Sequence, residues 1–276
     1  MHNIERISVS VIIPCFNCSA VIERAINSIL LQDYIPLEVI LIDDASTDNT
    51  LVLLHELSEK HKLLNIKVLS QYTNSGPSAA RNLGWKNANG DYIAFLDADD
   101  AWHPSKLKIQ YDIIDKSKGM NLIGHYCPVI TEYEESLNIL DKEKNIDVVL
   151  IDKFKIVMRN RFPTPSIMMK RELDLSFNEE KKRSEDYLLW SEVACKYGGC
   201  YLIKEPLGFL FKSPYGASGL SADLLKMQKG QLETLKIIFT KYSFHRSIVI
   251  ASYLSSYFRF LRRLCFNYYR VLAKKL

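Results

Sequence analysis

Four short apolar runs, rich in β-branched residues, punctuate the first hundred positions at 7–13, 37–42, 66–69 and 92–96. Each is continuous rather than alternating, the pattern of a strand buried on both faces. Between them helical periodicity covers 20–32, 48–62 and 78–88, the last opened by Pro77 at a first-turn position where a missing N–H costs little. The order βαβαβαβ predicts a mostly parallel sheet with helices on both faces. Ligand sites of such sheets lie beyond the carboxyl ends of the strands, so the polar residues just after each strand are the ones that matter. Further along, the pattern predicts a helix over 104–117, a strand within 121–131, a strand over 166–170, a helix over 185–197, strands over 200–204 and 207–212, and helix from 220 onward. The charged stretch 132–147 reads as a variable surface insertion. Ser213, Pro214, Tyr215, Gly216 and Gly219 mark a loop that divides a first region, 1–215, from a helical one, 216–276.

Composition narrows the class. In 276 residues, 47% apolar and 25% charged content is that of a globular protein and excludes a disordered chain, a coiled coil or a collagen. The formal net charge of +4 is too mild to argue for nucleic acid. Its distribution is uneven: residues 245–276 hold seven Lys or Arg and no Asp or Glu, leaving 29 basic against 32 acidic residues elsewhere. The uncharged run at 7–22 is broken by Pro14, Asn17 and Ser19 and falls short of a membrane span. The N-terminus superficially resembles a signal peptide, but its apolar part alternates with serines and lacks a small-residue cleavage site, so it reads as the first strand of a cytosolic protein. Six scattered cysteines do not make a disulfide framework. Cys15 and Cys18 form a C-x-x-C, which leaves a thioredoxin-like redox site, or zinc shared with Cys195 and Cys200, to be weighed.

Chemistry concentrates at the strand ends. Pro14 and Asn17 follow the first strand, Asp43, Asp44 and Asp48 the second, Gly76 to Asn82 the third, and Asp97, Ala98, Asp99 and Asp100 the fourth. Carboxylates this close repel one another unless a cation sits among them, and hard oxygen ligands suit Mg²⁺ or Mn²⁺ shared with a substrate diphosphate. No Gly-rich loop with Lys is present, so this is not a P-loop site. Asp48 reads equally as a helix cap, and Trp102 and Trp190 as packing residues or as platforms for a sugar.

These strand-end sequences, with Trp102, Pro104, Lys106 and Leu107 and with Ser184-Glu185-Asp186-Tyr187 further on, resemble the family 2 inverting glycosyltransferases of GT-A fold. The resemblance is dense over 7–107 and returns at 184–190. It implies a GT-A catalytic domain over 1–215, with a nucleotide-sugar-binding half at 1–107 and an acceptor half at 108–215. It implies that Pro14 and Asn17 shape the nucleotide pocket and that Asp44, with Asp43, meets the base. Arg81 is placed beside the base or diphosphate, Asp97 and Ala98 near the ribose or sugar, and Asp99 on a Mn²⁺ or Mg²⁺ ion. Asp186 is implied as the base that accepts the acceptor hydroxyl's proton. Its place near a helix N-terminus leads one to expect a carboxylate held in the charged form. Capping alone would also explain the acidic pair.

From about 246 the chain reads differently. At 100° per residue, Ile250, Leu254, Tyr257, Phe258, Leu261, Leu264, Cys265, Tyr268 and Leu272 fall on one side, and Arg259, Arg262, Arg263, Arg270 and Lys274 on the other. A basic, aromatic-rich amphipathic helix fits an anionic membrane surface, with packing on the domain as the competing reading. The whole reading is a metal-dependent transferase, peripheral on the inner face of the cell membrane. It moves a sugar from a nucleotide sugar, UDP-linked by expectation, to a lipid-diphosphate-linked glycan in O-antigen or related surface polysaccharide synthesis. A nucleotidyltransferase making activated sugars and a non-catalytic glycan- or nucleotide-binding module are the two competing functions.

Overall fold

The computed structural model describes residues 7–117, 119–133, 146–211 and 223–273. Most of the insertion expected at 132–147, the loop at 213–219 and the side chains of Arg270, Leu272 and Lys274 lie outside the described residues. The first half follows the predicted rhythm: β1 (Val9–Cys15), α1 (Ile22–Leu30), β2 (Glu38–Asp43), α2 (Thr50–Lys60), β3 (Ile66–Ser70), α3 (Pro77–Asn87) and β4 (Tyr92–Phe95). The second half holds β5 (Ala101–Trp102), α4 (Lys106–Ser117), β6 (Leu122–Tyr126), β7 (Val148–Ile151), α5 (Lys153–Met158), β8 (Met168–Lys170), α6 (Glu185–Tyr197), β9 (Cys200–Pro206) and β10 (Gly208–Phe209). Two helices, α7 (Leu224–Lys241) and α8 (Arg246–Ala273), close the described chain where the pattern predicts one continuous helical region.

The main sheet runs β3-β2-β1-β4-β8-β6-β9-β7. β1 pairs in parallel with β2 on one side and β4 on the other, so the chain steps outward to β3 and then crosses back. The crevice outside that reversal, between β1 and β4, is the switch point where open α/β sheets hold ligands. β8 runs antiparallel to both β4 and β6, and β9 returns parallel to β6.

Side-chain alternation along the strands explains the continuous apolar runs. Val9, Val11 and Ile13 face a layer that includes Ile22, Ile26 and Ile29 of α1, Leu54 of α2 and Leu107 of α4. Ile12, Ile40, Ile42 and Phe95 face the opposite layer, with Trp85 of α3, Trp190 and Val193 of α6 and Ile238 of α7. β3 corrects the expectation of burial on both faces. It is an edge strand, half-buried from Ile66 to Leu69 and exposed at Ser70, because one of its sides has no neighbouring strand among the described residues. Sequence periodicity does not mark 148–158, which forms β7 and α5, separated only by Asp152. That carboxylate caps α5 by accepting from Phe154 N at 3.0 Å and Lys155 N at 2.8 Å.

Candidate active site

The loops after β1, β2, β3 and β4 converge through side chains that tie one to the next. Asn17 takes a left-handed conformation (φ 47°), which Asn tolerates better than most residues. Its N–H donates to Ser46 Oγ at 3.0 Å, and its Oδ1 accepts from Thr47 N at 2.8 Å. Asp48 accepts from Thr50 N at 3.0 Å and Ser19 Oγ at 2.7 Å, and these bonds hold its carboxyl down at about 2. Asp48 is not the cap expected of it, since Asn49 holds the N-cap position of α2; it stands one residue earlier and clamps the first two loops together. Pro14 falls beyond the last β1–β4 pair, Ile12 with Phe95, where that neighbour no longer forms a ladder.

The two aspartates after β2 differ. Asp44 is committed to the third loop, with Oδ1 accepting from Ser75 N at 2.8 Å and Gln71 Nε2 at 3.1 Å, and Oδ2 from Gly76 N at 2.8 Å. Asp43 uses only Oδ2, which accepts from Ser46 N at 3.2 Å. Its Oδ1 is buried with no hydrogen-bond partner among the described residues. A buried acceptor left unpaired costs on the order of 1–3 kcal/mol, so this atom is a ready receiver for a ligand N–H.

After β4, Asp97, Asp99 and Asp100 stand together, with Asp100 N donating to Asp97 O at 3.1 Å across Ala98 and Asp99. Burial, followed by the charges of Asp97 and Asp99, pushes the Asp100 carboxyl up to about 8. Three carboxylates in one turn cannot all stay ionised without a cation. Arg24 of α1 answers part of this charge: its Nη2 donates to Asp99 O, and its guanidinium lies 3.6 Å above the ring of Phe211, whose N–H donates to Asp100 Oδ1 at 3.3 Å. No closed cage of three or more His, Cys, Asp or Glu side chains forms among the described residues. Mg²⁺ and Mn²⁺ take one or two protein carboxylates and keep the other positions for water and substrate phosphate oxygens. The donor set and the crowded charge around Asp100 together suit such an ion.

Arg81 joins this acidic turn to the opposite wall. Its side chain is 7% exposed, and its Nη2 donates to Asp97 Oδ1 at 2.7 Å while Nη1 lies 3.6 Å from Glu185 Oε1. Burial alone would weaken its hold on the proton, but Asp97 and Glu185 outweigh burial and keep it charged. The donors of Arg81, which the resemblance placed beside base or diphosphate, thus face two carboxylates.

Asp186 follows Glu185 in the first turn of α6. Its Oδ1 accepts from Tyr187 N at 2.6 Å, and Oδ2 from Asn160 Nδ2 at 3.4 Å. The expectation that the helix N-terminus would hold it charged is corrected. Burial and then the Glu185 charge dominate and raise its carboxyl to about 7. A carboxyl poised there suits a general base working near neutral pH. Asn160 has no signal in the sequence, because it sits in a loop no periodicity marks.

Position decides the roles of the tryptophans and cysteines. Trp102 and Trp190 are both fully buried, and Trp102 Nε1 donates to Pro165 O at 2.8 Å, so neither is a sugar platform. Cys15 and Cys18 are free thiols buried in the core layer of α1, while Cys195 and Cys200 pack with the layer on the other face of the sheet. A zinc shared by the two pairs is impossible across the sheet, and buried thiols lack the access that disulfide exchange needs.

A mixed sheet with a parallel 3-2-1-4 half and acidic strand ends is the fold of GT-A glycosyltransferases. The structure superposes on S. aureus TarS 1-349 in complex with UDP-GlcNAc with a TM-score of 0.69 at 23% identity, covering 92% of this chain and 73% of that one. The mannosyltransferase PcManGT from Pyrobaculum calidifontis, in complex with GDP-Man and Mn²⁺, gives 0.66 at 20% identity over 91% and 70% of the two chains. The family model described as Glycosyl transferase family 2 matches residues 10–177, and the chain belongs to that family. An uncharacterized glycosyltransferase of Haemophilus influenzae is 31% identical over 179 residues, 65% of this chain and 68% of that protein. The UDP-Glc:alpha-D-GlcNAc-diphosphoundecaprenol beta-1,3-glucosyltransferase WfgD of Escherichia coli is 30% identical over 185 residues, 67% of this chain and 69% of that protein. Membership makes the chain a glycosyltransferase, which sets aside the nucleotidyltransferase and the non-catalytic module.

Proposed function

We propose that this glycosyltransferase moves one hexose, with inversion, from a UDP-linked donor to a hydroxyl of a lipid-diphosphate-linked glycan in the synthesis of a surface polysaccharide such as O-antigen. The observation that carries the reading is the ion-paired path Asp97–Arg81–Glu185, which ends beside Asp186 and so sets a base opposite an acidic turn. The nucleoside occupies the switch-point crevice among Pro14, Asn17, Asp43 and Asp44, where Asp43 Oδ1 accepts an N–H of the base; the imino group of uracil offers one. Asp97 and Ala98 line the ribose and sugar side, and Asp99 would hold the divalent ion. Bound there, Mn²⁺ or Mg²⁺ supplies positive charge against the diphosphate oxygens as negative charge builds on them.

The acceptor oxygen attacks the anomeric carbon from the face away from the diphosphate. Its proton passes to Asp186, the new C–O bond forms as the bond to the diphosphate oxygen breaks, and the nucleoside diphosphate departs with the bonding pair. The acceptor in the name of the E. coli relative, a GlcNAc-diphosphoundecaprenol, supports the lipid-linked acceptor. No described helix is long and apolar enough to cross a membrane. The enzyme reaches such an acceptor by lying on the cytoplasmic surface through α8, where Ile250, Leu254, Tyr257, Phe258 and Leu261 are exposed.

The test is a screen of UDP-glucose, UDP-galactose and their N-acetyl forms against a synthetic lipid-diphosphate GlcNAc. Transfer from one of them, abolished by EDTA and restored by Mn²⁺ or Mg²⁺, is expected. Asp99→Asn should bind Mn²⁺ at least about tenfold more weakly in calorimetry, since an amide brings no ligand charge. Undiminished transfer in EDTA, together with wild-type Mn²⁺ affinity of Asp99→Asn, overturns the metal assignment.

A further inference from the structure

The short helix α5 ends against two elements that the sequence keeps far apart. The last carbonyls of a helix have no partner within it and must find one elsewhere. Here the hydroxyl of Tyr187, the residue after Asp186, donates to Ile156 O and Val157 O, each at 3.0 Å. The next carbonyl, Met158 O, accepts from Arg259 Nη1 and from Ser255 Oγ of α8. Arg259 Nη1 also reaches Ser255 Oγ, while Ser252 Oγ of the same helix face contacts Met158 Sδ at 3.4 Å. Arg259, assigned from helical periodicity to the solvated basic side, is thereby corrected: it belongs to the docking face. A guanidinium at a helix C-terminus is also favoured by the helix dipole.

Two residues beyond Met158 stands Asn160. Its Oδ1 accepts from Phe162 N at 3.0 Å, which fixes the amide so that Nδ2 points to Asp186 Oδ2, 3.4 Å away. Phe162 is buried at 1% exposure and anchors this turn from its C-terminal side. The N-terminal side is tied by the C-terminal cap of α5, where Arg159 N donates to Ile156 O at 3.0 Å and the guanidinium of Arg259 reaches in from α8. We infer that Arg259 is a positioning residue that acts through Met158 and Asn160 to set the carboxylate of Asp186 for proton acceptance; this rests on the reading of Asp186 as the base.

The other charged and titratable groups facing Asp186 are Glu185 and Tyr187 on α6, Arg81 on α3, Asp97 after β4, and Lys181 ahead of α6. None of them contacts Met158 or Asn160 through α8, so the Arg259 path is separable by mutation. An amide N–H donated to a carboxylate favours the charged form, and losing it raises the pH at which the base becomes available.

The experiment compares pH profiles of kcat, donor KM and thermal midpoints for the full chain and for Arg259→Gln, Arg259→Lys, Asn160→Ala and Asp186→Asn. Arg259→Gln should lower kcat on the order of tenfold, because small misplacements of a reacting group are costly, with donor KM within about twofold. Its acid limb should move upward by about half a pH unit. Asn160→Ala should reproduce that shift without disturbing α8, and Arg259→Lys should recover part of it. If Arg259→Gln lowers only the thermal midpoint, or Asn160→Ala leaves the limb in place while Asp186→Asn is inactive, the positioning role falls and the base survives. If Asp186→Asn keeps both turnover and the limb, the reading of the base itself fails.

Discussion

At the scale of single residues the proposed chemistry turns on Asp186, whose raised carboxyl sets the pH dependence to expect. As pH falls through about 7 the carboxyl gains a proton and can no longer accept one, so kcat should decline on the acid side around that value. Asp186→Asn keeps shape and removes proton acceptance, and turnover should drop about 10²- to 10⁴-fold with UDP affinity by calorimetry unchanged. A parallel fall in UDP binding would show Asp186 to be part of the donor pocket. Glu185→Gln removes the neighbouring charge that raises Asp186, so its acid limb should move to lower pH. The pair is visible in the sequence as a motif, yet the direction in which its surroundings push the base is not. The spacing from a helix start is readable, whereas the burial that outweighs the dipole depends on segments far away, such as the loop bearing Asn160. Asp43 and Asp44 show the same limit: neighbours in sequence leave a strand end on opposite sides, and only the fold tells which one has a free oxygen.

Among elements, the parallel half is legible because its strands are continuous apolar runs, its helices show apolar periodicity and α3 opens on a first-turn proline, signals that need no partner to be read. β3 escapes a local reading because an edge and a centre differ only in neighbours, which local pattern does not encode. β7 and α5 escape it because one unbroken run of apolar and basic residues, split by a single Asp152, carries two periods too short to separate. α3 shows how closely the elements fit. It lies against β1 and β2 through Gly84, where an added Cβ would stand 2.6 Å from Ile12 Cγ2 and 2.8 Å from Ile42 Cδ1. Both are branched core side chains with no free space to enter. Helix propensity favours alanine at such a position, by roughly 1 kcal/mol. Overpacking costs typically about 1–3 kcal/mol, so Gly84→Ala should lower stability despite the better propensity. Because α3 also carries Arg81, the midpoint of thermal unfolding and kcat should fall together. A midpoint equal to or above wild type would mean that α3 can move away from the sheet without penalty.

For the whole molecule, the two faces of α8 separate docking from display. Ser252, Ser256 and Phe260 are buried, Gln228 of α7 donates to Ser256 Oγ at 3.1 Å, and Arg259 caps α5. The outer face carries Ile250, Leu254, Tyr257, Phe258, Leu261, Leu264 and Tyr268, all exposed, a row of large apolar groups longer than single surface residues would explain. Packing on the domain and an apolar face open to solvent therefore coexist, on different sides of one helix. Arg262 borders the exposed row and Arg263 stands half-buried on the next turn of the surface, and each basic group near anionic lipid adds on the order of 1 kcal/mol at low screening. Entry of the aromatic and aliphatic groups into the interface would add to this in proportion to the apolar area buried. Replacing Leu254 and Phe258 with Ser and Arg262 and Arg263 with Gln, none of which caps α5, should release the protein from anionic vesicles. Transfer to a long-chain lipid acceptor should slow while transfer to a short soluble one holds at wild-type rate. Raising salt toward 1 M, where the Debye length is about 3 Å, should mimic only the arginine part. Vesicle sedimentation of the quadruple variant equal to wild type, or equal loss on both acceptors, would leave α8 as a structural brace and nothing more.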